Sequence, residues 1–279
     1  MSRVLLTGAS GFIGSALATA LAADHDVVCI GRHGPAGDVA FVRGLFSSFE
    51  DLRRLDGHEF DAAIHLAAVT GGCSERDGML VNVEGTRCLM RYLIDRGCRK
   101  FVMASSIAAV GMQSVRFRPL SMPIPDEHPC LDRDGYGFSK YMMEEVTRYY
   151  ARQDGEVDVI NLRLASIIPE DATPEPARAG AVFQWALGSI TLMYLSDCLR
   201  VLRSALEAPH APGVRIMNAT AAQANVADPL PVVLRAWWPD LELDLSHYER
   251  PGHERDSAFD IRRVRTELGF VPQRSPLGG

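Results

Sequence analysis

The sequence is poor in the features that mark specialised protein classes. Its six cysteines, Cys29, Cys73, Cys88, Cys98, Cys130 and Cys198, are scattered, with no CxxC and no neighbouring histidine pair. That spacing builds neither a zinc knuckle nor a disulfide framework, and isolated cysteines among apolar neighbours fit a reducing cytoplasm. The eight histidines show no ligand spacing, so no metal is expected. Positive charge is not in excess: 29 Lys and Arg against 35 Asp and Glu leave a net charge of −6. Nucleic acid and anionic membrane are therefore poor candidates for the main partner. No run is long and apolar enough to span a bilayer. The N-terminal apolar run is broken by a glycine turn and then by Asp24, His25 and Asp26, unlike a signal peptide. Internal repeats and low-complexity tracts are lacking too. What remains is a 279-residue chain, 47% hydrophobic, expected to be a cytoplasmic globular protein.

What the sequence does have is rhythm. "RVLLTG" reads as a strand, "GSALATALAADH" as a helix and "DVVCIG" as a second strand. "VAFVRG" is a third strand and "FEDLRRL" a short helix; "FDAAIHLAA" is a fourth strand followed by the helix "NVEGTRCLMRYLIDRG". "RKFVMASS", the long helix "YGFSKYMMEEVTRYYARQ" and "VDVINLRLA" complete the series. The strands are apolar on both faces, as in a parallel sheet covered by helices on each side. Such alternation predicts a doubly wound α/β fold of Rossmann type. After Pro169 the proline-bearing stretch "EDATPEPARAG" breaks the pattern. A nucleotide-binding domain is expected over 1–165, completed by about 190–222. A smaller C-terminal substrate lobe is expected from 166–189 and 223–279.

The first strand–helix junction carries Gly8-Ala9-Ser10-Gly11-Phe12-Ile13-Gly14. Three glycines there allow a tight turn, close approach of the backbone to a pyrophosphate, and helix–strand packing. The phosphate then meets free N–H groups at the positive end of the helix. The second strand ends Ile30-Gly31-Arg32-His33, with no carboxylate for the ribose hydroxyls of NAD and a guanidinium placed for a 2′-phosphate. NADP is the expected cofactor, with NAD possible; a plain solvent-exposed arginine is the alternative reading of Arg32.

Downstream, Tyr136 and Lys140 lie four apart at the start of a long helix and so share a face. An ammonium and an oxidised nicotinamide beside a phenol favour the phenolate, which lets it exchange a proton with a hydroxyl or carbonyl. The fifth strand delivers Ser105 and Ser106 to the C-terminal edge of the sheet, where open α/β sheets bind ligands.

TGxxGxxG at Thr7–Gly14, "HLAA" at His65–Ala68, "NVEGT" at Asn82–Thr86, "SSIAAVG" and "YGFSK" occur in one order. That order resembles the extended short-chain dehydrogenase/reductase superfamily, which includes sugar-nucleotide epimerases and dehydratases. The resemblance runs on through "LRLASIIP", "MYLSDCLRVLRSALE", "MNAT" and "DIRRVRTELGFVP". It implies an NAD(P)-dependent enzyme with Ser106, Tyr136 and Lys140 as its catalytic residues, Lys140 also binding the nicotinamide ribose. It further implies that Gly8, Gly11, Phe12, Ile13, Gly14, Leu66, Ala67 and Ala68 line the cofactor, that Ser105 lines the nicotinamide pocket, and that Asn82 supports it. For Asn82, helix capping is the competing reading.

Two departures matter. The family often has an aspartate after the third strand for the adenine amino group, where this chain reads Gly44-Leu45-Phe46. After the sixth strand, Ser166 stands where sugar-nucleotide enzymes commonly have asparagine, and the following segment is short for a whole nucleotide. That compact lobe is similar to the uronate dehydrogenases, on the string "SIIPE" and the placement of Thr70. Thr70, Ser106, Ser166 and Arg178 are the expected substrate contacts, Arg178 by pairing with a carboxylate or simply as a solvated loop charge. The expected activity is interconversion of an alcohol and a carbonyl on a small polar or sugar-like substrate. The alternative is an epimerase or dehydratase that returns its cofactor unchanged. His65 is expected to be structural, and Trp237-Trp238 to cap the lobe. Met142, Met143 and Val146 are expected either in a homodimer interface, as is usual in the superfamily, or in the core.

Overall fold

The computed structural model describes all residues except 112–115, 182, 184, 241 and 279. Its main body is a seven-stranded sheet in the order β3-β2-β1-β4-β5-β6-β9. The strands are β1 Arg3–Thr7, β2 Asp26–Gly31, β3 Ala40–Arg43, β4 Ala62–His65, β5 Lys100–Ser106, β6 Asp158–Leu164 and β9 Gly213–Ala219. Every neighbouring pair is parallel. The order reverses direction at β1, so the crevice outside the carboxyl ends of β1 and β4 is a switch point of the kind that binds ligands. A two-stranded parallel sheet, β7 Ser166–Ile168 with β8 Leu192–Tyr194, lies outside the main one.

Strands buried on both faces need a helical layer on each side. On one side, α1 (Phe12–Leu21), α7 (Leu195–Glu207) and α10 (Arg262–Leu268) supply Leu17, Leu21, Val201, Leu202 and Val264 to a cluster with Leu6, Ile64, Val102 and Leu162. On the other side, α2 (Phe49–Leu52), α4 (Gly85–Ile94) and α5 (Gly135–Gln153) cover Leu5, Val28, Phe101 and Val159. Preceding α4, the short helix α3 (Glu75–Asp77) runs into a π-helical stretch, Gly78–Glu84. A third apolar cluster gathers Ile107, Phe117, Ile124, Leu187, Leu230, Trp238, Tyr248 and Phe259. It is built around α6 (Ala186–Ile190), α8 (Leu230–Trp237) and α9 (Ser246–Glu249). This cluster borrows Ile107, Val110, Phe117, Met122 and Ile124 from the first half of the chain, while α10 returns to the sheet. Trp238 is buried within it, and Trp237 packs on its edge and donates to the Ala181 carbonyl at 2.7 Å.

The β1–α1 turn is held by close backbone approach. Gly8 has φ +76°, and a Cβ there would lie 2.7 Å from the Ala67 nitrogen, beside the end of β4. A Cβ on Gly14 would lie 2.1 Å from the Gly8 carbonyl oxygen. Helix α1 can therefore pack onto its own turn only with glycine at 14. Gly14→Ala is expected to cost at least about 2 kcal/mol, the cost of overpacking where the neighbour is backbone. Gly57→Ala, whose Cβ would meet nothing within 4 Å, should be nearly neutral. Urea unfolding of both variants measures this; equal stability of the two would refute the packing account.

Candidate active site

The first turn of α1 presents its N–H groups to the switch point without competition. Its N-cap, Gly11, has no side-chain cap, and the first turn carries no acidic residue. Phe12 is 51% exposed and Ile13 half-buried at the same mouth. Across from it, Leu66, Ala67 and Ala68 run half-buried beyond β4, tied down by the Ala67 N–H donating to Thr7 Oγ1 at 3.2 Å. This end of the sheet is a cradle that backbone donors and small residues leave open to an anion.

His65 is the post behind the cradle. Thr86 donates its hydroxyl to the Asn82 carbonyl at 2.6 Å, so it accepts from His65 Nε2 at 3.0 Å, and His65 Nδ1 accepts from Thr7 at 2.7 Å. The ring is neutral, its pKa pushed down to about 3 by burial and then by the Lys140 charge. Asn82 turns out not to cap a helix. Its side chain accepts from Val69 N–H at 2.8 Å and donates to the Val69 carbonyl and to Ser139 Oγ. It clamps the loop after β4 to α5, with its amide fully occupied by protein.

Farther along the sheet edge, Gly31 of β2 pairs with Arg43 of β3. That register puts Arg32 and Arg43 in one cleft of about 350 Å³, lined also by His33, Gly44, Leu45, Asp51 and Arg54. Arg32 and Arg43 are exposed, and neither has an ion pair among the described residues. Arg54 is committed to the Arg43 carbonyl and to Asp51. Arg43 was missed by sequence reasoning, although its place as the last residue of the third strand was a usable signal.

Helix α5 begins where it does because Asp134 caps it, accepting from the N–H groups of Tyr136 and Gly137 at 2.8 and 3.2 Å. That sets Tyr136 on the first turn and Lys140 one turn deeper. Ser106 sits close enough to hydrogen-bond the Tyr136 phenol and hold its pKa down, but burial dominates and raises it, with Cys73 and Asp134 adding to the rise. The expected lowering of the phenol pKa by Lys140 is thus not met in the protein alone. The ammonium donates to the Ala104 carbonyl at 2.7 Å and stands 5.8 Å from the centre of the Tyr136 ring. Burial lowers the Lys140 pKa to about 8, opposed by Glu144.

Several expected site residues lie elsewhere or are otherwise engaged. Ser105 is buried and donates its hydroxyl to Glu144 Oε1 at 2.6 Å, behind the site rather than into it. Ser166 donates to the Gly188 carbonyl at 3.1 Å. Thr70 is exposed in the loop after β4, and Arg178 is exposed in the proline-bearing loop, with no described contact to Tyr136 or Ser106. Met143 is buried against the sheet and Val146 packs on the same cluster, so these two serve the core. The scattered histidines do meet in space: the donor atoms of His247, His253 and Asp256 lie within 4.8 Å of one another. Arg250 donates to His247 Nδ1 at 2.7 Å, which puts the imidazole proton on Nε2, facing Asp256 at 2.9 Å. Hydrogen bonds account for this cluster, since a ligating Nε2 must be free of its proton.

The fold and this geometry define a nucleotide-binding Rossmann protein with a serine, tyrosine and lysine at the carboxyl edge of its sheet. The chain belongs to the NAD dependent epimerase/dehydratase family, whose model matches residues 4–217. Among its relatives, UDP-glucose 4-epimerase 4 of Oryza sativa subsp. japonica is 30% identical over 57% of this chain and 48% of its own length. L-arabinose 1-dehydrogenase (NAD(P)(+)) of Haloferax volcanii is 28% identical over 75% of this chain and 84% of its own. The chain thus spans about half the length of the rice epimerase it matches. Among solved structures, a mutated uronate dehydrogenase superposes with TM-score 0.70 at 21% identity, covering 99% of this chain and 82% of its own. A short-chain dehydrogenase/reductase superfamily protein from Agrobacterium tumefaciens with bound NAD gives 0.73 at 20% identity, covering 98% and 93%. These two show a shared fold. No described helix is long and apolar enough to cross a membrane.

Because the folded-state pKa of His65 lies below its unfolded value, the stability it contributes is complete above pH 6.5 and is lost as pH falls toward 3. Asp126, raised to about 7 mainly by burial, acts with the opposite sign over part of that range. The difference between wild type and His65→Asn isolates the histidine. Wild type should lose stability more steeply than the variant between pH 6.5 and 4, by up to about 1.4 kcal/mol per pH unit. Parallel slopes in urea titrations would contradict a neutral buried His65.

Proposed function

We propose that the chain is an NADP-dependent oxidoreductase that interconverts an alcohol and a carbonyl on a small polar or sugar-like molecule. The observation that carries this reading is the convergence of Tyr136 and Ser106 above Lys140, at the carboxyl edge of β5. When bound, the nicotinamide supplies the two-electron acceptor or donor. Ser106 then holds the reacting oxygen of the substrate by a hydrogen bond, and the Tyr136 phenol takes or returns that oxygen's proton. Lys140 holds the ribose and favours the phenolate once the cofactor adds its own positive charge. The proteins of similar fold and sequence include both dehydrogenases and UDP-glucose 4-epimerases. The second reading, an epimerase or dehydratase with the same chemistry run transiently, rests on those epimerases.

The lobe expected over 166–189 and 223–279, less α10, which packs on the main sheet, is the proposed substrate side, with Thr70, Ser166 and Arg178 at its approaches. Six unpaired cysteines support a reducing cytoplasm. A homodimer through the outer face of α5 is supported by the exposed Phe138 and Tyr149, with Met142 between them; the inward Met143 and Val146 take no part.

NADP over NAD is supported by the paired guanidinia of Arg32 and Arg43 and the lack of a carboxylate at the end of β2. Arg32→Ala and Arg43→Ala should each weaken NADP(H) binding by about 1–3 kcal/mol, typical of a hydrogen bond to a charged group, and leave NAD(H) nearly unchanged. Calorimetric titration decides; equal NAD(H) and NADP(H) affinity in the wild type would overturn the preference. A panel of uronic acids, sugar lactones, aldehydes, ketones and sugar nucleotides separates the two activities. Net change of NADPH absorbance is expected, with little competition from UDP; isomerised product without net change would favour the epimerase.

A further inference from the structure

A buried network stands behind Lys140, and the reaction scheme above makes no use of it. β5 pairs with β6 in a register that sets Ser105 against Arg163. Paired positions project to one face of a sheet, and both side chains meet Glu144 of α5 there. Glu144 accepts from Ser105 Oγ at 2.6 Å and from Arg163 Nε and Nη2 at 2.9 and 2.8 Å. Glu144 and Arg163 are almost wholly buried, and the remaining Arg163 donor, Nη1, is taken by the Asp126 carbonyl at 2.8 Å. Each guanidinium nitrogen and each carboxylate oxygen of the pair has a hydrogen-bond partner, as buried charges require.

We propose that Glu144 is a positioning residue that keeps Lys140 protonated inside the protein, with Ser105 and Arg163 fixing its carboxylate for that purpose. The inference rests on the reading of Lys140 as the cofactor-side ammonium. Residues four apart on a helix lie one above the other, and the buried Lys140 and Glu144 reach consecutive residues of β5, the ammonium donating to the Ala104 carbonyl and the carboxylate accepting from the Ser105 hydroxyl. The other groups facing Lys140 give it no anion. His65 of β4 is neutral, the backbone carbonyl of Ala104 accepts its proton, and Tyr136 stands above it as a phenol. Around Glu144 itself, Cys130 is held up as a thiol by burial, with the carboxylate adding to that effect, and Asp126 is raised to about 7 by burial. Among the described residues facing Lys140, Glu144 is the carboxylate that opposes its burial. Without its charge, burial alone acts, and the lysine loses its proton at lower pH.

The chain offers an unusually direct test, because it has only two lysines, Lys100 and Lys140. With lysine labelled by ¹³C at Cε, each gives one NMR titration curve, and Lys100, beside Asp158, is the internal control. Glu144→Gln alone strands the Arg163 charge and threatens folding, so the variant of choice is Glu144→Gln with Arg163→Met, which removes both charges. Lys140 should titrate near pH 8 in the wild type and measurably lower in the double variant, because the Glu144 carboxylate and not the Arg163 guanidinium is the charge that acts on it. Glu144→Asp should restore the wild-type value and Lys100 should not move. An unchanged Lys140 pKa in the folded double variant overturns the proposal, as does failure of Glu144→Asp to restore it. NADP(H) affinity measured over the same pH range separates this from the functional reading. Its alkaline fall should shift with Lys140. A shift in the Lys140 curve without one in affinity would uphold the role of Glu144 and refute the ribose contact.

Discussion

The register between β5 and β6 is the constraint on which the candidate site depends. It sets Ser105 opposite Arg163 and so builds, under α5, the socket that receives Glu144. With Glu144 seated, the rotation of α5 about its axis is fixed, and Tyr136 and Lys140 are aimed at the end of β5. The cap by Asp134 fixes the same helix along its axis. A one-residue slip of β6 would turn Arg163 to the other face of the sheet and leave a buried carboxylate without its counter-charge. Such a loss costs several kcal/mol. The buried ion pair is thus better understood as a device for placing α5 than as a source of net stability.

The other end of the crevice obeys a different constraint, steric rather than electrostatic. Gly8 and Gly14 let the β1–α1 turn close against β4 and against itself, which leaves the uncapped helix N-terminus facing open space. Arg32 and Arg43 line a cleft farther along the sheet edge, where the proposed NADP would place its 2′-phosphate. Between the two ends, Asn82 clamps the β4 loop to α5 through Val69 and Ser139.

Much of this architecture was legible in the sequence because its signals are local. Five of the six expected strands are apolar and buried on both faces, β3 being a largely exposed edge, and the glycines and the Tyr136–Lys140 spacing act within a single turn. What escaped depends on contacts between distant segments. Arg43 reaches the cofactor cleft only through its pairing with Gly31. Ser105 looks like a site residue until Glu144, itself held by Arg163, claims its hydroxyl. Asn82 has the composition of a cap, yet its partners lie 13 and 57 residues away. Met143 and Val146 form part of an amphipathic pattern, and only the packed sheet shows which side of it faces inward. The three-residue cluster of His247, His253 and Asp256 was invisible for the same reason, being assembled by a loop fold that no spacing rule describes.

The central claim is that Tyr136 handles the proton while the rest of the site merely holds and orients. Tyr136→Phe keeps the ring and its packing and removes only the phenolic oxygen. On a substrate identified by turnover, single-turnover kinetics of this variant should show the chemical step slowed by about 10²- to 10⁴-fold, the usual loss of a general acid or base, with NADP(H) affinity nearly unchanged. A variant that binds cofactor normally and still turns over at close to the wild-type rate would contradict the account.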